Sequence, residues 1–582
     1  MVKPILWNLG LAALAALLFA GAFPNPLIEN GVPALAWVAY VPVFLLAYRV
    51  SVGASIFWGA LYALLAYSLF NYWLAAFHPL AGTIVYSVYM VYLALVFVLL
   101  RLSVIFFPRR AYIAHWLIWL GYEYLRTLGF LGYAFGVTGY SQWRVLPIIQ
   151  IADVFGVWGV SALVVFPSAW LAAALARRGR EAAPLDAGGA AAILPALRDA
   201  WRRVREFWAR ERIAAAGWLC ALVAALVYGF AVPRDFSDAP RANIALIQHN
   251  TDPWIGGTPA FRRNFEILSR LSDEALAAYP RPDMVVWSET AFTSRIVYHL
   301  AFRYEEEALE LVEDLLRYMA RQDVPFVIGN HDARVDPVRN PNPLEGHIVN
   351  FNAALLFEEG RITEVYRKKH LVPFTEHFPF RRQFPRIHRW LREADTHFWD
   401  YGTEPTVFRG PGFYFSTPIC FEESYGYLGR LFVREGAEVL VNLSNMAWAS
   451  SLSSQNQQLK MAVFRAVENR RAVARSTASG QTAAIYPDGR ISAMAPPFEE
   501  TWITVSVPVV RDRVTLYTRF GDFLGVAFAL AAGVSLIIGS VSCIIKKTSR
   551  GPAPAGRGSA QPSRGAGRNA PNAVGKPRRR KR

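Results

Sequence analysis

Long apolar runs separated by short polar stretches dominate the first 232 residues of the chain. A membrane-spanning helix needs about 20 mostly apolar residues. Seven runs in this region approach that length, and an eighth lies near the C-terminal end. The pattern therefore predicts a multi-pass α-helical membrane bundle of about eight spans. The predicted spans are 5–23, 31–48, 54–77, 83–100, 112–125, 154–176, 213–232 and 523–545.

The fifth run is the weakest of the eight because it carries two charged residues, Glu123 and Arg126. Residues three apart on a helix lie on the same face. Ionisable residues inside a membrane are rare and usually paired, although some belong to proton relays. We favour an intramembrane ion pair or a helix end over a proton relay.

Basic residues in the connecting segments orient the predicted bundle. The connections after spans 2, 4 and 6 contain arginines, whereas those after spans 1 and 3 contain neither Lys nor Arg. Positive loops stay in the cytoplasm, so both termini are expected there. The domain organisation expected is a bundle over 1–232, an outer domain over 233–519 in the periplasm, an eighth span over 520–545 and a cytoplasmic tail over 546–582. We expect a location in a bacterial inner membrane.

The charge balance changes this picture little. The 582 residues are 54% hydrophobic and 18% charged, which is typical of a membrane protein, and the formal net charge is +17. Sixteen of these seventeen charges fall in 177–212 and 546–582, which both flank apolar runs. The excess is therefore a marker of topology. The tail, rich in Pro, Gly, Ala and Arg, is expected to be disordered and to bind anionic lipid, not nucleic acid.

The region between spans 7 and 8 alternates between short strand patterns and helical patterns. This alternation predicts an α/β domain, more specifically two sheets covered by helices. The strand candidates are 243–248, 284–287, 326–329, 352–357, 412–418 and 438–442. The helix candidates are 261–278, 304–321, 425–435 and 455–471.

Cys420 is the only cysteine of this outer domain, because Cys220 and Cys543 fall in predicted spans. Three cysteines are too few for a disulfide scaffold or a multi-cysteine metal site. Cys420 lies where a predicted strand gives way to a helix, so the helix dipole and nearby backbone N–H groups are expected to lower the pKa of its thiol. A buried structural cysteine and a catalytic nucleophile remain equally compatible with this position.

Glu289 and Lys368 have the same placement as Cys420, because each follows a predicted strand. A carboxylate can accept a thiol proton and later return it, and an ammonium can stabilise an anionic tetrahedral intermediate. Taken alone, each residue is better explained as a solvated surface charge.

Four short motifs change that balance: VVWSET at 285–290, KKHLVPFTE at 368–376, ICFEE at 419–423 and LSNMAW at 443–448. They resemble the carbon-nitrogen hydrolase (nitrilase) superfamily, which carries a Glu-Lys-Cys triad on an αββα sandwich. The resemblance is closer to its membrane-embedded branch, the apolipoprotein N-acyltransferase family, and extends over nearly the whole chain.

The resemblance implies roles for particular residues. Glu289 would be the general base, Lys368 the oxyanion stabiliser and Cys420 the nucleophile. The further active-site residues that it implies are Glu376, Phe421, Glu422, Trp254 and Asn445.

The resemblance also implies a reaction. A fatty acyl chain would pass from a phospholipid, through a thioester on the cysteine, to the N-terminal α-amine of a diacylglyceryl-cysteine lipoprotein. No cofactor is expected, and we expect the protein to be a monomer. The partners expected are therefore the phospholipid donor, the lipoprotein acceptor and the lipid bilayer.

Three residues depart from the family's usual pattern. Phe421 stands where the closest branch usually has Tyr, Met446 where it usually has Asp, and Ser288 where Pro is common. None belongs to the triad, but the missing hydroxyl at Phe421 could change how the acyl acceptor is handled. The short spacing from the first strand to Trp254 weakens the assignment of that residue.

Other functions remain open on the sequence. A Cys-His protease using His370 is disfavoured because no protease cysteine motif is present. A metal site is disfavoured because the histidines lack ligand spacing. A tethered amidohydrolase would use the same triad with water as acceptor, but it would not need eight spans. A non-catalytic scaffold or transporter would not need the triad. The histidines weighed as metal ligands are His331, His347, His370 and His377.

The segment 377–401 mixes aromatic residues with arginines. Such mixing can bind nucleic acid, but beside a membrane it favours a mobile lid on the phospholipid surface. The aromatic residues expected to contact lipid include Phe378, Phe380 and Phe384.

Overall fold

The computed structural model describes residues 2–77, 79–176, 193–232, 235–252, 255–335, 348–393, 398–449 and 451–548. Trp254, His347 and the tail from 549 onwards therefore lie outside the described residues. The first part of the chain is entirely helical, as predicted. Its helices are α1 (Val2–Ala22), α2 (Pro33–Ala36), α3 (Val41–Arg49), α4 (Val52–Phe70), α5 (Leu74–Phe77), α6 (Pro79–Phe106), α7 (Ala111–Leu125), α8 (Leu146–Ile149), α9 (Ala152–Ala176), α10 (Ile193–Arg210) and α11 (Arg212–Ala231).

Six helices of the described chain are long and apolar enough to cross a membrane: α1, α4, α6, α9, α11 and a last helix at Phe523–Thr548. The second predicted span is divided into α2 and α3, where Pro33 and Pro42 each stand at a helix start. The fifth predicted span is the 15-residue helix α7. The apolar runs are therefore helical as predicted, and the count of eight spans is approximate.

Glu123 and Arg126 do not form the ion pair that the sequence suggested. No oxygen of Glu123 lies within 4 Å of the Arg126 guanidinium among the described ion pairs. Helix α7 ends here, and both side chains bind the chain that follows. Thr138 donates its backbone N–H to Glu123 Oε1 at 3.0 Å, and Arg126 Nη1 donates to the carbonyl of Phe135 at 2.9 Å. The alternative expectation, a helix end, is therefore confirmed.

The rest of the chain forms an α/β domain followed by the last apolar helix. Its strands are β1 (Arg241–Gln248), β2 (Met284–Val286), β3 (Phe326–Val335), β4 (Ile348–Glu358), β5 (Arg361–Arg367), β6 (Phe408–Arg409), β7 (Tyr414–Ser416), β8 (Val439–Ser444), β9 (Ala472–Thr477), β10 (Ala483–Ile485), β11 (Ile491–Met494) and β12 (Thr501–Pro508). Its helices are α12 (Gly257–Ala277), α13 (Ile296–Phe302), α14 (Glu306–Met319), α15 (Pro385–Glu393), α16 (Gly426–Arg434), α17 (Leu452–Asn469), α18 (Leu516–Phe520) and α19 (Phe523–Thr548).

The strands form two six-stranded sheets, in the orders β12-β1-β2-β3-β4-β5 and β11-β10-β9-β8-β7-β6. The central strands of each sheet are parallel and the outer ones antiparallel. The sheets face each other: the Ser476 hydroxyl on β9 lies within hydrogen-bond distance of the carbonyls of Ile247 and Val286 on the opposite sheet. Helices α12 and α14 cover the first sheet. With α16 and α17 beside the second sheet, this is the predicted αββα sandwich.

Helix α17 joins the sandwich to the membrane bundle. Almost all of its residues are buried, including the polar ones, because the second sheet lies on one side and the apolar helices on the other. The Gln457 amide donates to the carbonyls of Pro24 and Phe70 at 2.9 and 3.0 Å. Glu468 accepts the backbone N–H of Val157, which is left open by a break in α9 at Gly156, where φ is 62°. The α/β domain and the spans therefore share one continuous core.

Candidate active site

The ends of three strands place the three predicted triad residues at one end of the sandwich. Strands β2 and β5 run in the same direction, because β3 is parallel to β2 and β4 is antiparallel to both β3 and β5. Glu289 follows β2, Lys368 comes directly after β5, and Cys420 follows β7. Residues after parallel strands meet at the same edge of a sheet. Cys420 and Glu289 both line one cavity of about 520 Å³, and the charges of Glu289 and Lys368 act on the Cys420 thiol. The structure therefore brings the triad together.

Glu289 is held by three hydrogen-bond donors. Asn352 Nδ2 and Lys368 Nζ reach its Oε1 at 2.8 and 3.2 Å, and the backbone N–H of Asn445 reaches its Oε2 at 2.8 Å. The strand below it also fixes its position, since a Cβ at Gly329 would lie 2.7 Å from the Glu289 Cα. Only glycine at position 329 therefore lets β3 pass under the base.

Lys368 is fully buried between two carboxylates. Its ammonium lies 3.2 Å from Glu289 Oε1 and 2.8 Å from Glu376 Oε1. Burial disfavours the cation, but the two carboxylates outweigh burial and raise the pKa of Lys368 well above its ordinary value. The ammonium therefore stays charged throughout the physiological range, as an oxyanion stabiliser must.

Cys420 opens a 3₁₀-helix at Cys420–Ser424 with φ at 50°, in the left-handed region. This sharp turn after β7 directs the residue into the cavity. Burial, with a further contribution from the Glu289 carboxylate, raises the pKa of the thiol to about 12. The expected lowering of that pKa by a helix dipole is wrong, because only a short 3₁₀-turn follows the cysteine and burial has the larger effect.

Glu422 does not line the cavity, although it lies only two residues after Cys420. Its carboxylate is completely buried and accepts bonds from the Tyr366 hydroxyl and from the backbone N–H groups of Lys369 and His370 at 2.8 to 2.9 Å. Its other oxygen accepts the N–H of Ile419 at 2.8 Å. Glu422 thus joins the lysine loop to the cysteine turn, which is a positioning task.

Phe421 and Asn445 both line the cavity. The Phe421 ring stacks at 14° on Phe135, which comes from the membrane bundle, with centroids 6.4 Å apart. Asn445 is almost fully buried, and its backbone N–H binds Glu289. Both therefore border the space in front of the predicted triad, while Trp254 lies outside the described residues.

The other two departures from the family pattern are also close to the site. Met446 lines the cavity, and the Ser288 hydroxyl lies 3.0 Å from Nε2 of His249. Both Ser288 and His249 are fully buried, and burial lowers the pKa of His249 to about 4. A hydrogen bond to a neutral imidazole therefore holds the residue before Glu289, where proline is common in the family.

Asn352 is a site residue that the sequence reading missed. Asn352 is buried and lines the cavity. Its side-chain amide donates to Glu289 Oε1 at 2.8 Å and lies 3.5 Å from Glu376 Oε1. The backbone carbonyl of Asn352 accepts the backbone N–H of Lys368 at 2.8 Å. The signal in the sequence is a polar residue at the start of the otherwise apolar strand predicted over 352–357.

The membrane bundle supplies one wall of the cavity. Side chains from α5, α6 and the 131–135 loop stand opposite Cys420 and Glu289. The volume falls within the roughly 300–1,000 Å³ common for ligand sites. The apolar residues of this wall include Leu74, Ile84, Val85, Val88 and Leu131.

The histidines weighed in the sequence are not arranged as a catalytic or metal-binding set. His370 Nδ1 lies 2.7 Å from the Tyr427 hydroxyl, and its ring packs 3.8 Å from Tyr425. Burial, with the charge of Lys368, lowers the pKa of His370 to about 4. Within the described ranges, no group of three His, Cys, Asp or Glu residues could hold a metal ion. His347 lies outside those ranges.

The basic and aromatic segment 377–401 borders the cavity. Leu391 and Trp399 line it, whereas Phe380 and Phe384 are 42% and 52% exposed. Phe378 is buried, so its expected contact with lipid is wrong for this conformation. The segment therefore has one side on the cavity and an aromatic side that is exposed.

The chain is similar to known proteins over most of its length. Residues 243–517 match the carbon-nitrogen hydrolase family, and residues 15–170 match the apolipoprotein N-acyltransferase N-terminal domain. A Treponema denticola protein named apolipoprotein N-acyltransferase 1 is 40% identical over 93% of this chain and 98% of its own length. Its Treponema pallidum counterpart is 44% identical over 92% and 96%. A solved carbon-nitrogen hydrolase from Helicobacter pylori is 15% identical, with a TM-score of 0.34, over 46% of this chain and 90% of that one.

Proposed function

The chain belongs to the apolipoprotein N-acyltransferase family, and from that premise we propose which of its residues perform the transfer and how. The protein is an acyltransferase that moves a fatty acyl chain from a phospholipid to the N-terminal α-amine of a diacylglyceryl-cysteine lipoprotein. One observation carries the proposed mechanism: the Cys420 turn and the Glu289 carboxylate open into a cavity whose opposite wall is made by membrane helices.

In the first half-reaction, Glu289 takes the proton of the Cys420 thiol as sulfur attacks the ester carbonyl of a phospholipid. A base is required because the pKa of the thiol is raised to about 12. The tetrahedral intermediate collapses when Glu289 returns the proton to the leaving glycerol oxygen. A lysophospholipid departs, and the acyl chain remains on sulfur as a thioester.

Lys368 and the backbone N–H near Phe421 stabilise the oxyanion of this intermediate. The ammonium stays charged because Glu289 and Glu376 lie on either side of it. Glu376 and Asn352 orient the lysine and the base, and Glu422 joins the lysine loop to the cysteine turn.

In the second half-reaction, the free α-amine of the lipoprotein attacks the thioester and Glu289 accepts its proton. The products are an amide and the regenerated thiol. Amine attack competes with hydrolysis, so the site must limit water. The apolar wall from α5 and α6 supports this, and it disfavours the alternative of a tethered amidohydrolase.

The remaining features of the proposal concern placement. We assign the bundle to 1–232, the catalytic domain to 233–519, the last span to 520–545 and a basic tail to 546–582. The catalytic domain would face the periplasm from the inner membrane, with both termini in the cytoplasm, as the arginine pattern of the loops favours. A monomer suffices, since one chain supplies the triad and the cavity walls.

The mechanism can be tested by trapping the acyl-enzyme. Purified protein is incubated with a phospholipid whose acyl chain is labelled, and the label on the protein is measured before and after hydroxylamine. We expect a hydroxylamine-sensitive adduct in the wild type and in Cys220→Ala, and none in Cys420→Ala. Cys220 is the matched control because it lies on an exposed helix surface away from the cavity.

A labelled adduct that survives Cys420→Ala would refute the assignment of the nucleophile. Adding a diacylglyceryl-cysteine peptide should move the label from the protein to the peptide. If the label appeared only as free fatty acid, the protein would be a hydrolase.

The topology needs its own experiment, with single cysteines placed in a cysteine-free background. Tyr279 is 98% exposed on the catalytic domain, and the side chain of Arg110 is 72% exposed at the other end of the bundle. In intact spheroplasts, a membrane-impermeant maleimide should label Tyr279→Cys and not Arg110→Cys. The reverse pattern would place the catalytic domain in the cytoplasm.

A further inference from the structure

The arginine-rich segment between α9 and α11 contains the helix α10, which takes no part in the proposed reaction. Helix α10 has five arginines and two acids in its 18 residues, and its apolar residues fall on one side. We propose that α10 is a binding site for the headgroups of anionic phospholipids, on the membrane surface opposite the catalytic domain.

The location of α10 follows from its neighbours. Asp153 at the start of α9 binds Arg470 of the catalytic domain at 2.6 Å, and Tyr228 near the end of α11 binds the same carboxylate at 2.8 Å. The last 20 residues of α9 extend roughly 30 Å from that point. The helix between the far ends of α9 and α11 therefore lies at the opposite end of the bundle.

One side of α10 is fixed to the ends of the spans. The Phe207 ring packs 5.7 Å from Tyr112 and 5.0 Å from Trp170. Arg203 donates to the carbonyl of Leu175 at the end of α9. The helix stops at Glu211, which accepts the Tyr112 hydroxyl at 2.9 Å. The packing holds α10 in one orientation, so its remaining face is fixed as well.

That remaining face alternates between arginine and tryptophan. Arg198, Trp201, Arg205 and Trp208 stand at i, i+3, i+7 and i+10, which is a single stripe along a helix. All four are exposed, with Trp201 at 70% and Trp208 at 48%. Tryptophan is enriched at the level of lipid headgroups, and arginine reaches their phosphates in bidentate fashion.

Charge favours anionic lipid as the occupant. Among the described residues, Asp199 pairs with Arg202 and Arg203, whereas Arg198 and Arg205 form no ion pair. The two tryptophans lie on the edge of the apolar face that packs on the spans, so they continue the lipid-facing surface of the bundle. Arg198 and Arg205 lie farther round the helix from Phe207 than the tryptophans do, so they are the side chains that would meet headgroup phosphates.

The first test asks whether the stripe faces lipid. A fluorophore is attached at Trp201→Cys, in a Cys220→Ala and Cys543→Ala background, and the protein is placed in nanodiscs with brominated acyl chains. We expect quenching at this position. The same label at Tyr279→Cys on the catalytic domain should not be quenched. An unquenched label at position 201 would overturn the proposal.

The second test measures selectivity for charge. Full-length protein in neutral detergent is titrated with phosphatidylglycerol or phosphatidylcholine. Each arginine contributes roughly fivefold in affinity near an anionic surface, so Arg198→Gln with Arg205→Gln should weaken phosphatidylglycerol binding by about 25-fold. The matched control is Arg321→Gln with Arg434→Gln, two exposed arginines of the catalytic domain.

The site would be refuted if both double variants lost the same affinity for phosphatidylglycerol. It would also be refuted if the wild type showed no preference for phosphatidylglycerol over phosphatidylcholine. Inorganic phosphate should compete only weakly. Strong competition would show a simple anion site, which also contradicts a lipid surface. The acyl-adduct assay checks that both double variants remain folded, since neither pair touches the catalytic cavity.

Discussion

In the proposed mechanism Cys420 is the acid and Glu289 the base, and burial keeps the proton on the thiol at rest. The thiol is protonated at rest because its pKa is raised to about 12 by burial and by the Glu289 carboxylate. The carboxylate is fixed by donors from Asn352, Lys368 and Asn445. A base held this rigidly next to a protonated nucleophile is ready to act only when a substrate carbonyl arrives.

Replacing the base should change both the rate and its dependence on pH. In Glu289→Gln we expect acyl loading to slow by about 10²- to 10⁴-fold at neutral pH. The remaining rate should rise with pH throughout the alkaline range, because the thiolate then forms only by titration. Initial rates of adduct formation between neutral and alkaline pH would show this. A Glu289→Gln rate as flat with pH as the wild type would contradict the assignment.

Lys460 on α17 is a buried cation at the junction with the spans. Its Nζ has no hydrogen-bond partner among the described atoms, and it lies 4.2 Å from the centroid of Phe23 and 5.3 Å from that of Phe70. Burial, with the charge of Arg126, lowers the pKa of Lys460 well below its ordinary value. The contacts with the two rings offset only part of the cost of burying the charge.

This lysine should make stability depend on pH. The folded state releases its proton at a lower pH than the unfolded chain, whose lysine has a pKa of about 10.4. The unfolded state therefore binds more protons in that window, and stability rises with pH up to its end. In Lys460→Met we expect a higher apparent Tm at neutral pH, by the equivalent of about 1 kcal/mol or more, and a smaller rise toward alkaline pH. Thermal unfolding of both proteins at several pH values decides this, and parallel curves would contradict it.

At the scale of single residues, the sequence indicated which residues form the site, but it did not indicate how deeply each is buried or what it contacts. The motifs around Glu289, Lys368 and Cys420 were sufficient to bring all three to one site, where Glu289 and Cys420 line the cavity and Lys368 is buried against Glu289. The pKa of Cys420 was predicted in the wrong direction because the depth of burial is a property of the assembled fold. Asn352 was missed because its role depends on β4 running between the two carboxylates.

Among the elements, the segment 377–401 presents exposed aromatic rings beside the cavity. The Phe380 ring lies 5.8 Å from Phe130 of the bundle, and Phe384 is more exposed than either. A half-exposed aromatic pair beside the mouth of an acyl site suits the headgroup region of a bilayer.

Removing the two exposed rings should impair the transfer of lipid into the site. With Phe380→Ser and Phe384→Ser together, we expect acyl loading from vesicles to slow by about tenfold, while loading from detergent-dispersed phospholipid changes less. Phe408→Ser is not a suitable control because that ring is fully buried, whereas Tyr279→Ser removes an exposed ring far from the cavity. Equal rates from vesicles in all three proteins would remove a lipid-contacting role.

Element boundaries followed the sequence where periodicity was strong. The helix predicted over 304–321 forms at Glu306–Met319, and the one over 425–435 at Gly426–Arg434. Helix α10 was not predicted, because the reading of 177–212 weighed arginine count and not helical spacing. The short strands β10 and β11 were missed because three or four residues carry too little pattern.

The molecule as a whole builds its cavity from two parts that are distant in sequence. Val88 on α6 faces the cavity, whereas Val91, three residues later on the same helix, is 59% exposed on the outside of the bundle. One helix therefore separates the acyl site from the bilayer. Its two faces provide a matched pair of positions for testing whether the acyl chain occupies this cavity.

Filling the cavity from the membrane side should discriminate between long and short acyl donors. We expect Val88→Trp to slow loading from a long-chain phospholipid by about ten- to a hundredfold, and to leave loading from a short-chain activated ester nearly unchanged. Val91→Trp should behave as the wild type with both donors. If Val88→Trp slowed both donors equally, tryptophan would be disturbing the triad and not the acyl site.

The αββα sandwich and the helical bundle were both predictable, because each has its own periodicity. Their junction was not. Helix α17 appears in the sequence as an ordinary amphipathic helix with many polar residues. Only the fold reveals that some of these polar groups bind carbonyls of the membrane bundle, as the Gln457 amide binds the carbonyl of Pro24.

Because α6 forms a wall between the cavity and the outside of the bundle, it bears on which donor concentration sets the rate of the reaction. If both substrates enter from within the bilayer, the quantity that sets the rate is the number of donor molecules per area of membrane, not their number per volume of solution. Diluting the donor with an inert lipid at constant total phospholipid should lower the rate in proportion. Adding more vesicles of the same composition should leave it unchanged.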